Sequence, residues 1–490
     1  MDALSRTTTL NPQLKQIALI LSLSCWSIIF VVGAFLYQGS WYVYSSFSFI
    51  YLALLVSGVF IKVTYGYTFL TIILWLGFWL KTVVHLIFDY PFVEPTGLFN
   101  GSGPEWDHVF IVASLGALGV IIARLIYGCV FGKQSTMRSD TPILPPGWYS
   151  RYRVYLWCAL ASCIIIFAAL NLFFSFQQIG LVPKTIIWPL NALFYWLLST
   201  GFAMVVATLL WWEFCSNNNN INTIYFLLLE GVAASVSLLS RGLYIFHFVP
   251  LFFALLLNRK RLSGVDIKWT GILLASFLLT FLVCYPLVNS IRDYHYSGVP
   301  LTMPLNNAES WSDDESMLVK GFTKFAMFSV DRWVGLEGLM ATSAYPDKNI
   351  SLFISAATEK AVIGKASIFQ DVALSHYRFM DLSKFVFASL PGPISFFYFS
   401  NSLWFVFIGM GVLTLLVLAS EILIYRLLLN PLLAALWGSI LATSFAQMGI
   451  NVPGLIFFLF LCFIGFLTLY LIQCSFFVTT LFAGKFKKLQ

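Results

Sequence analysis

The sequence predicts an all-α, polytopic integral membrane protein with about 12 transmembrane helices and one large external loop. Three observations lead there. The chain of 490 residues is 59% hydrophobic and only 10% charged, whereas a soluble domain carries about a quarter charged residues. Apolar blocks of about 20 residues, the length a helix needs to cross the hydrocarbon layer, recur along it. The alternating ten-residue strands of a membrane barrel do not appear in the pattern. A mean hydropathy of +0.86 agrees with this reading.

In chain order the apolar blocks place spans near 16–37, 41–60, 64–88, 107–131, 154–176 and 186–212. Six more fall near 222–239, 242–257, 269–289, 402–420, 431–448 and 453–481. The pair 222–257 also reads as one long helix with a buried Arg241. The first block follows Arg6 and Lys15 and is too long for a signal-peptide core, so it is expected to be retained as a span. Twelve spans place both termini on one face. Arg6, Lys15, Lys62, Lys133, Arg138, Arg151, Arg153, Arg259, Lys260, Arg261, Lys268, Arg426, Lys485, Lys487 and Lys488 all fall there. The short loops opposite hold little more than Lys184 and Arg241. Lys and Arg gather in short cytoplasmic loops, so both termini are expected in the cytoplasm. The chain then divides into helices 1–9 over 1–290, a large periplasmic loop with amphipathic helices over 291–401, and helices 10–12 over 402–490.

This distribution, rather than a nucleic-acid partner, accounts for the net charge of +7. The eight cysteines lie in or beside apolar blocks without a CxxC pair, so neither a disulfide framework nor a zinc site is expected.

Polar chemistry concentrates in 291–401, which is costly to keep beside so much lipid-soluble sequence. Arg292 and His295 follow the end of a span. From Glu315 to Trp333, Met317, Leu318, Phe322, Phe325 and Phe328 gather on one helical face, predicting a helix along the membrane surface. That helix delivers Asp331 and Arg332 at headgroup level, and GLEG follows with Glu337. A further amphipathic stretch holds His376 and Arg378. Outside this loop, Ser237–Phe246 places Arg241 at a tight external turn, either to clamp a diphosphate or to snorkel to headgroups. The loop Phe88–His108 carries Asp89, Glu94, Glu105 and Asp107, as a solvated turn or as acidic groups for base work. Lys81 and His85 share one face of the third span, and they either snorkel or line a polar cavity.

Arginines at the outer interface suit a doubly charged phosphate leaving group. A nearby carboxylate or imidazole suits removal of a proton from an attacking hydroxyl. No DxD, HExxH, GxSxG or Walker pattern is placed in the loop, so neither metal nor nucleotide cofactor is expected.

Ser240-Arg241-Gly242, the DRWVGLEG run from Asp331 to Gly338, and the loop exit Leu390–Ser402 sit within this plan of spans. Together they resemble the bacterial O-antigen polymerase and ligase superfamily. The resemblance covers the architecture of most of the chain through short motifs. It implies a fold resembling the multispan glycosyltransferases and metal-independent, inverting transfer of undecaprenyl-diphosphate-linked glycan. By that likeness Arg241 and Arg332 hold the diphosphate, with Arg292 and Arg378 as further cations. Asp331, Arg332, Glu337 and His376 become the candidate catalytic residues, with His295 as the other histidine. The expected function is a repeat-unit polymerase of the bacterial cytoplasmic membrane. Its expected partners are lipid-linked oligosaccharide, membrane lipids, a chain-length regulator and a flippase. A ligase acting on another acceptor, and a lipid-linked-glycan transporter or flippase, are the alternatives.

Overall fold

The computed structural model describes residues 12–60, 64–89, 91–131, 145–184, 189–216, 221–258, 267–296, 330–331, 333–386 and 390–486. Its elements, in order, are α1 (Pro12–Leu36), α2 (Trp41–Val59), α3 (Tyr65–Phe88), α4 (Gly103–Phe131), α5 (Gly147–Phe174) and α6 (Leu190–Cys215). There follow α7 (Tyr225–Ser237), α8 (Leu243–Asn258), α9 (Ile267–Tyr296), α10 (Leu336–Ala344), α11 (Ile350–Thr358) and α12 (Ile368–Val372). The last four are α13 (Pro393–Tyr398), α14 (Leu403–Leu428), α15 (Pro431–Ala446) and α16 (Val452–Phe486). Among the described residues the only β pairing is an isolated bridge between Leu181 and Phe385.

Among the described residues, eight helices are long and apolar enough to cross a membrane: α2 to α6, α14, and stretches of α9 (Lys268–Arg292) and α16 (Val452–Gln473). Four further apolar helices are shorter: Ile20–Leu36, Asn222–Ser237, Leu243–Asn258 and Pro431–Ala446. All of these stand where the sequence predicts spans. The chain is an all-helical, multi-pass membrane protein. The long-helix reading of 222–257 does not hold. The chain breaks at Leu238–Gly242, where Leu239 takes a left-handed φ of 53° and Ser240 N donates to Ser235 O at 2.9 Å. That geometry closes α7 and frees Ser240-Arg241-Gly242 to turn into α8.

The core is organised around α15, which is apolar on every side and buried along most of its length, as a central helix must be. Its start is set by sequence: Asn430 Oδ1 accepts from Leu432 N at 2.9 Å and Leu433 N at 3.2 Å, and Pro431 sits at the first turn. α15 packs on α3, α8 and α14, and α4 packs on α2 and α14. At the closest approach, a Cβ on Gly438 of α15 would meet Gly66 N of α3 at 2.5 Å. Glu421 of α14 enters at the same point and accepts from Tyr65 N at 2.8 Å and Gly66 N at 2.6 Å. It thereby satisfies two amides that the start of α3 leaves without intrahelical partners.

Part of 291–401 is not an outer appendage. Every residue from Leu336 to Thr342 in α10 and from Pro393 to Tyr398 in α13 is buried. α10 packs on α4 and α13. Ser395 Oγ donates to Gly338 O at 2.8 Å and lies 2.6 Å from Thr342 Oγ1, tying the two short helices together. The insertion depends on α3, which contains a π-helical turn at Leu76–Leu80. A side chain on Gly77 in that turn would meet Val334 O at 2.4 Å, so glycine is what lets the inserted segment reach the helix. At this loop end of the bundle the 91–102 loop meets the inserted segment, where a Cβ on Gly97 would lie 3.0 Å from Val372 O and 3.2 Å from Ala341 Cα.

Candidate functional site

Directly after the π turn, α3 presents Lys81 and His85, one helical turn apart, to the inserted segment. Lys81 Nζ donates to both carboxylate oxygens of Glu337, at 2.7 and 2.9 Å, and to Asp331 O at 3.0 Å. His85 Nε2 lies 2.9 Å from Asp331 Oδ1. All four residues are buried, with Lys81 at 0% exposure and His85 highest at 6%. Glu337 is in the first turn of α10, where a carboxylate also faces the positive end of the helix. The His85 ring stacks on Phe92 at 4.0 Å between centroids, so the 89–102 loop closes over the cluster.

Four buried ionisable groups are expensive to hold away from water, and breaking one pair strands its partner. The arrangement fixes the backbone on both sides of position 332. His85, Asp331 and Glu337 each offer a ligand atom within 4.8 Å of the others, a spacing that a metal ion can use. In this arrangement Lys81 Nζ is hydrogen-bonded to both Glu337 oxygens, while the Asp331 carboxylate faces His85.

The structure thus brings together two of the predicted catalytic residues, Asp331 and Glu337, with Lys81 and His85 of the third span. Arg332 lies outside the described residues, as does nearly all of the expected surface helix at 315–333. Leu239 and Ile291, close to Arg241 and Arg292 in sequence, belong to one small apolar cluster. Leu239 packs with Cys284 and Val288, and Val232, Val236 and Ile291 border them. The Arg241 turn is braced by Ile179 N donating to Leu238 O at 2.9 Å and by Asn171 Nδ2 donating to Ser237 O at 2.7 Å. The chain just beyond it, at 180–182, pairs with 384–386 through Val182 N to Lys384 O and Val386 N to Gly180 O, both 3.0 Å.

His376 and Arg378 occupy a 3-10 turn before that pairing. Arg378 Nε donates to Ser375 O at 3.0 Å, and its guanidinium lies 3.6 Å from Asp371 Oδ1 and over the Phe379 ring. His376 packs on Tyr377, and its Nε2 is buried without a hydrogen-bond partner among the described residues. Burial pushes its pKa below the ordinary histidine value, so its imidazole is neutral at pH 7. Among the described residues, neither His376 nor Arg378 is hydrogen-bonded or ion-paired to the Lys81 cluster.

Of the acidic residues in Phe88–His108, Asp107 is structural. Its carboxylate accepts from Tyr37 Oη at 2.7 Å and from Ser40 N at 2.9 and 3.1 Å.

Sequence reasoning passed over a second buried pair. His247 Nδ1 lies 3.0 Å from Glu230 Oε2, and His247 Nε2 lies 2.8 Å from Ser199 O. Ser199 belongs to a second π-helical turn, Leu197–Gly201. Each ring nitrogen of His247 thus faces an oxygen. The signal was present, since Glu230 and His247 are ionisable residues inside apolar blocks.

No family model, curated protein or solved structure matches this chain.

Proposed function

We propose that this protein is a metal-independent membrane glycosyltransferase, a repeat-unit polymerase of the bacterial cytoplasmic membrane. It transfers undecaprenyl-diphosphate-linked glycan to the hydroxyl of a lipid-linked acceptor at the outer face. One observation carries the reading. Asp331 and Glu337 of the DRWVGLEG run are held by buried contacts with His85 and Lys81 of α3, and in this reading the lipid diphosphate lies beside that run. A receptor or scaffold has no need of two carboxylates, a lysine and a histidine locked at that position.

In this reading Lys81 and His85 are positioning residues that fix the backbone flanking Arg332. Arg332 and Arg241, with Arg292 and Arg378 as further cations, hold the diphosphate as its charge grows. The acceptor oxygen attacks the anomeric carbon, the bond from that carbon to the phosphate oxygen breaks, and the lipid diphosphate leaves. The acceptor proton goes to a neutral base, for which His376 is the candidate. Asp331 and Glu337, each already engaged by a cation or an imidazole, hold the site rather than take that proton. Cytoplasmic termini and an external 291–401 segment belong to the same reading. Cells lacking the gene should accumulate single lipid-linked repeats, and restoring it should return a ladder of longer products.

The alternative, a lipid-linked-glycan transporter, is favoured by the Glu230–His247 pair, because ionisable groups at membrane depth mark ion or proton pathways. The two readings part on one variant. Replacing both residues, Glu230→Gln with His247→Gln, removes the charges while keeping hydrogen-bonding groups. Polymerase function predicts an unchanged ladder, whereas proton-coupled transport predicts that it vanishes.

A further inference from the structure

We propose that a cleft between the 89–102 loop and α10 binds one uncharged pyranose ring of the acceptor glycan; the word acceptor rests on the glycosyl-transfer reading above. The cleft has a volume of about 180 Å³ and is lined by Phe99, Pro104, Glu105, His108, Ser343 and Ala344. Pockets for drug-sized ligands run to roughly 300–1,000 Å³, so this one fits a single ring rather than a chain.

Its chemistry matches a sugar. A pyranose offers an apolar C–H face and a rim of hydroxyls that both donate and accept. Phe99 supplies an apolar wall, held edge-to-face against Trp106 with ring centroids 5.1 Å apart. Glu105 accepts from Asn100 N at 2.7 Å through Oε2, leaving Oε1 as an acceptor without a protein partner among the described residues. Ser343 Oγ is buried and has no hydrogen-bond partner among the described residues. A buried hydroxyl left unpaired is costly, so this group calls for a ligand atom. His108 Nε2 lies 2.6 Å from the hydroxyl of buried Tyr398, which fixes the ring and leaves Nδ1 for a second hydroxyl. The far wall is rigid as well, since Lys348 Nζ donates to Ser343 O at 2.8 Å and lies 5.6 Å from the Tyr398 ring centroid. A carboxylate at Glu105 disfavours an acidic sugar.

The position matches too. Ser343 and Glu337 stand on the same short helix, six residues apart, or about 9 Å along its axis. An acceptor ring in the cleft would thus lie within a sugar's reach of the ion-paired run that flanks Arg332.

The test uses the full chain in lipid nanodiscs with the methyl pyranosides of glucose, galactose, mannose and N-acetylglucosamine as probes, read by saturation-transfer NMR. At least one should bind, and its affinity should fall roughly tenfold or more in Phe99→Ala and in Ser343→Leu, which fills the cleft. Thermal midpoints for both variants show that the fold is intact, and Asp381→Asn on an exposed turn should bind as wild type does. Absence of binding by all four probes, or equal affinity in both cleft variants, overturns the proposal. The product ladder in cells separates it from the reading beneath it. A ladder that collapses in Arg332→Lys while pyranoside binding ignores the cleft variants removes the cleft alone. Cleft-dependent binding in a chain whose deletion leaves the ladder intact removes the transferase reading and with it the acceptor assignment.

Discussion

Lys81→Met should lower the amount of folded protein sharply, and Lys81→Met combined with Glu337→Met should restore most of it. Methionine matches the unbranched shape of lysine but donates nothing. In the single variant Glu337 keeps a charge with neither of its oxygens paired by Lys81, in a site where its side chain is 3% exposed, and Asp331 O loses its donor. Stranding one partner of a buried ion pair costs about 3–5 kcal/mol, against a total stability of about 5–15 kcal/mol for a typical domain. Replacing both members by apolar groups of similar volume removes the stranded charge, and such exchanges are often neutral. Thermal unfolding of the detergent-solubilised protein checks both, with wild-type stability in the single variant as the contrary outcome. The double variant should still give only short product, because the backbone flanking Arg332 has lost its anchor.

Arg332→Lys should reduce transfer about a hundred- to a thousandfold, nearly as far as Arg332→Ala. Lysine keeps the charge but loses the planar fork that engages two phosphate oxygens at once. The leaving diphosphate gains negative charge as the glycosidic bond breaks, so losing a well-placed donor there costs about 3–4 kcal/mol of barrier. An arginine that only anchors headgroups would tolerate lysine, since both side chains snorkel. Product length on a gel at matched expression distinguishes the two cases, and a full-length ladder from Arg332→Lys takes Arg332 out of the site.

Much of this was legible in the sequence for a physical reason. Apolar blocks of membrane-spanning length are read directly from composition, and Lys81 and His85 stand out because a charge inside such a block needs a partner. Their four-residue spacing placed them on one face. What the sequence could not supply was the partner, since Asp331 and Glu337 lie 246 and 256 residues away from His85 and Lys81 in the chain. The burial of α10 was also hidden. Leu336–Ala344 is too short to register as a span, and it sits in a segment whose overall polarity argues for solvent. The π turns at Leu76–Leu80 and Leu197–Gly201 left no mark that periodicity detects, yet both lie beside the buried charges. Likewise the cleft joins His108 to Ser343, two residues that nothing in the local pattern connects.

The most direct measurement is transfer by the purified protein itself, reconstituted in liposomes with lipid-diphosphate-linked repeat units, a metal chelator and no nucleotide. The account predicts that donor is consumed, lipid diphosphate is released, and a ladder of longer lipid-linked glycans forms, all lost in Arg332→Lys. Unconsumed donor in the presence of folded wild-type protein, or a ladder that Arg332→Lys leaves unchanged, would contradict it.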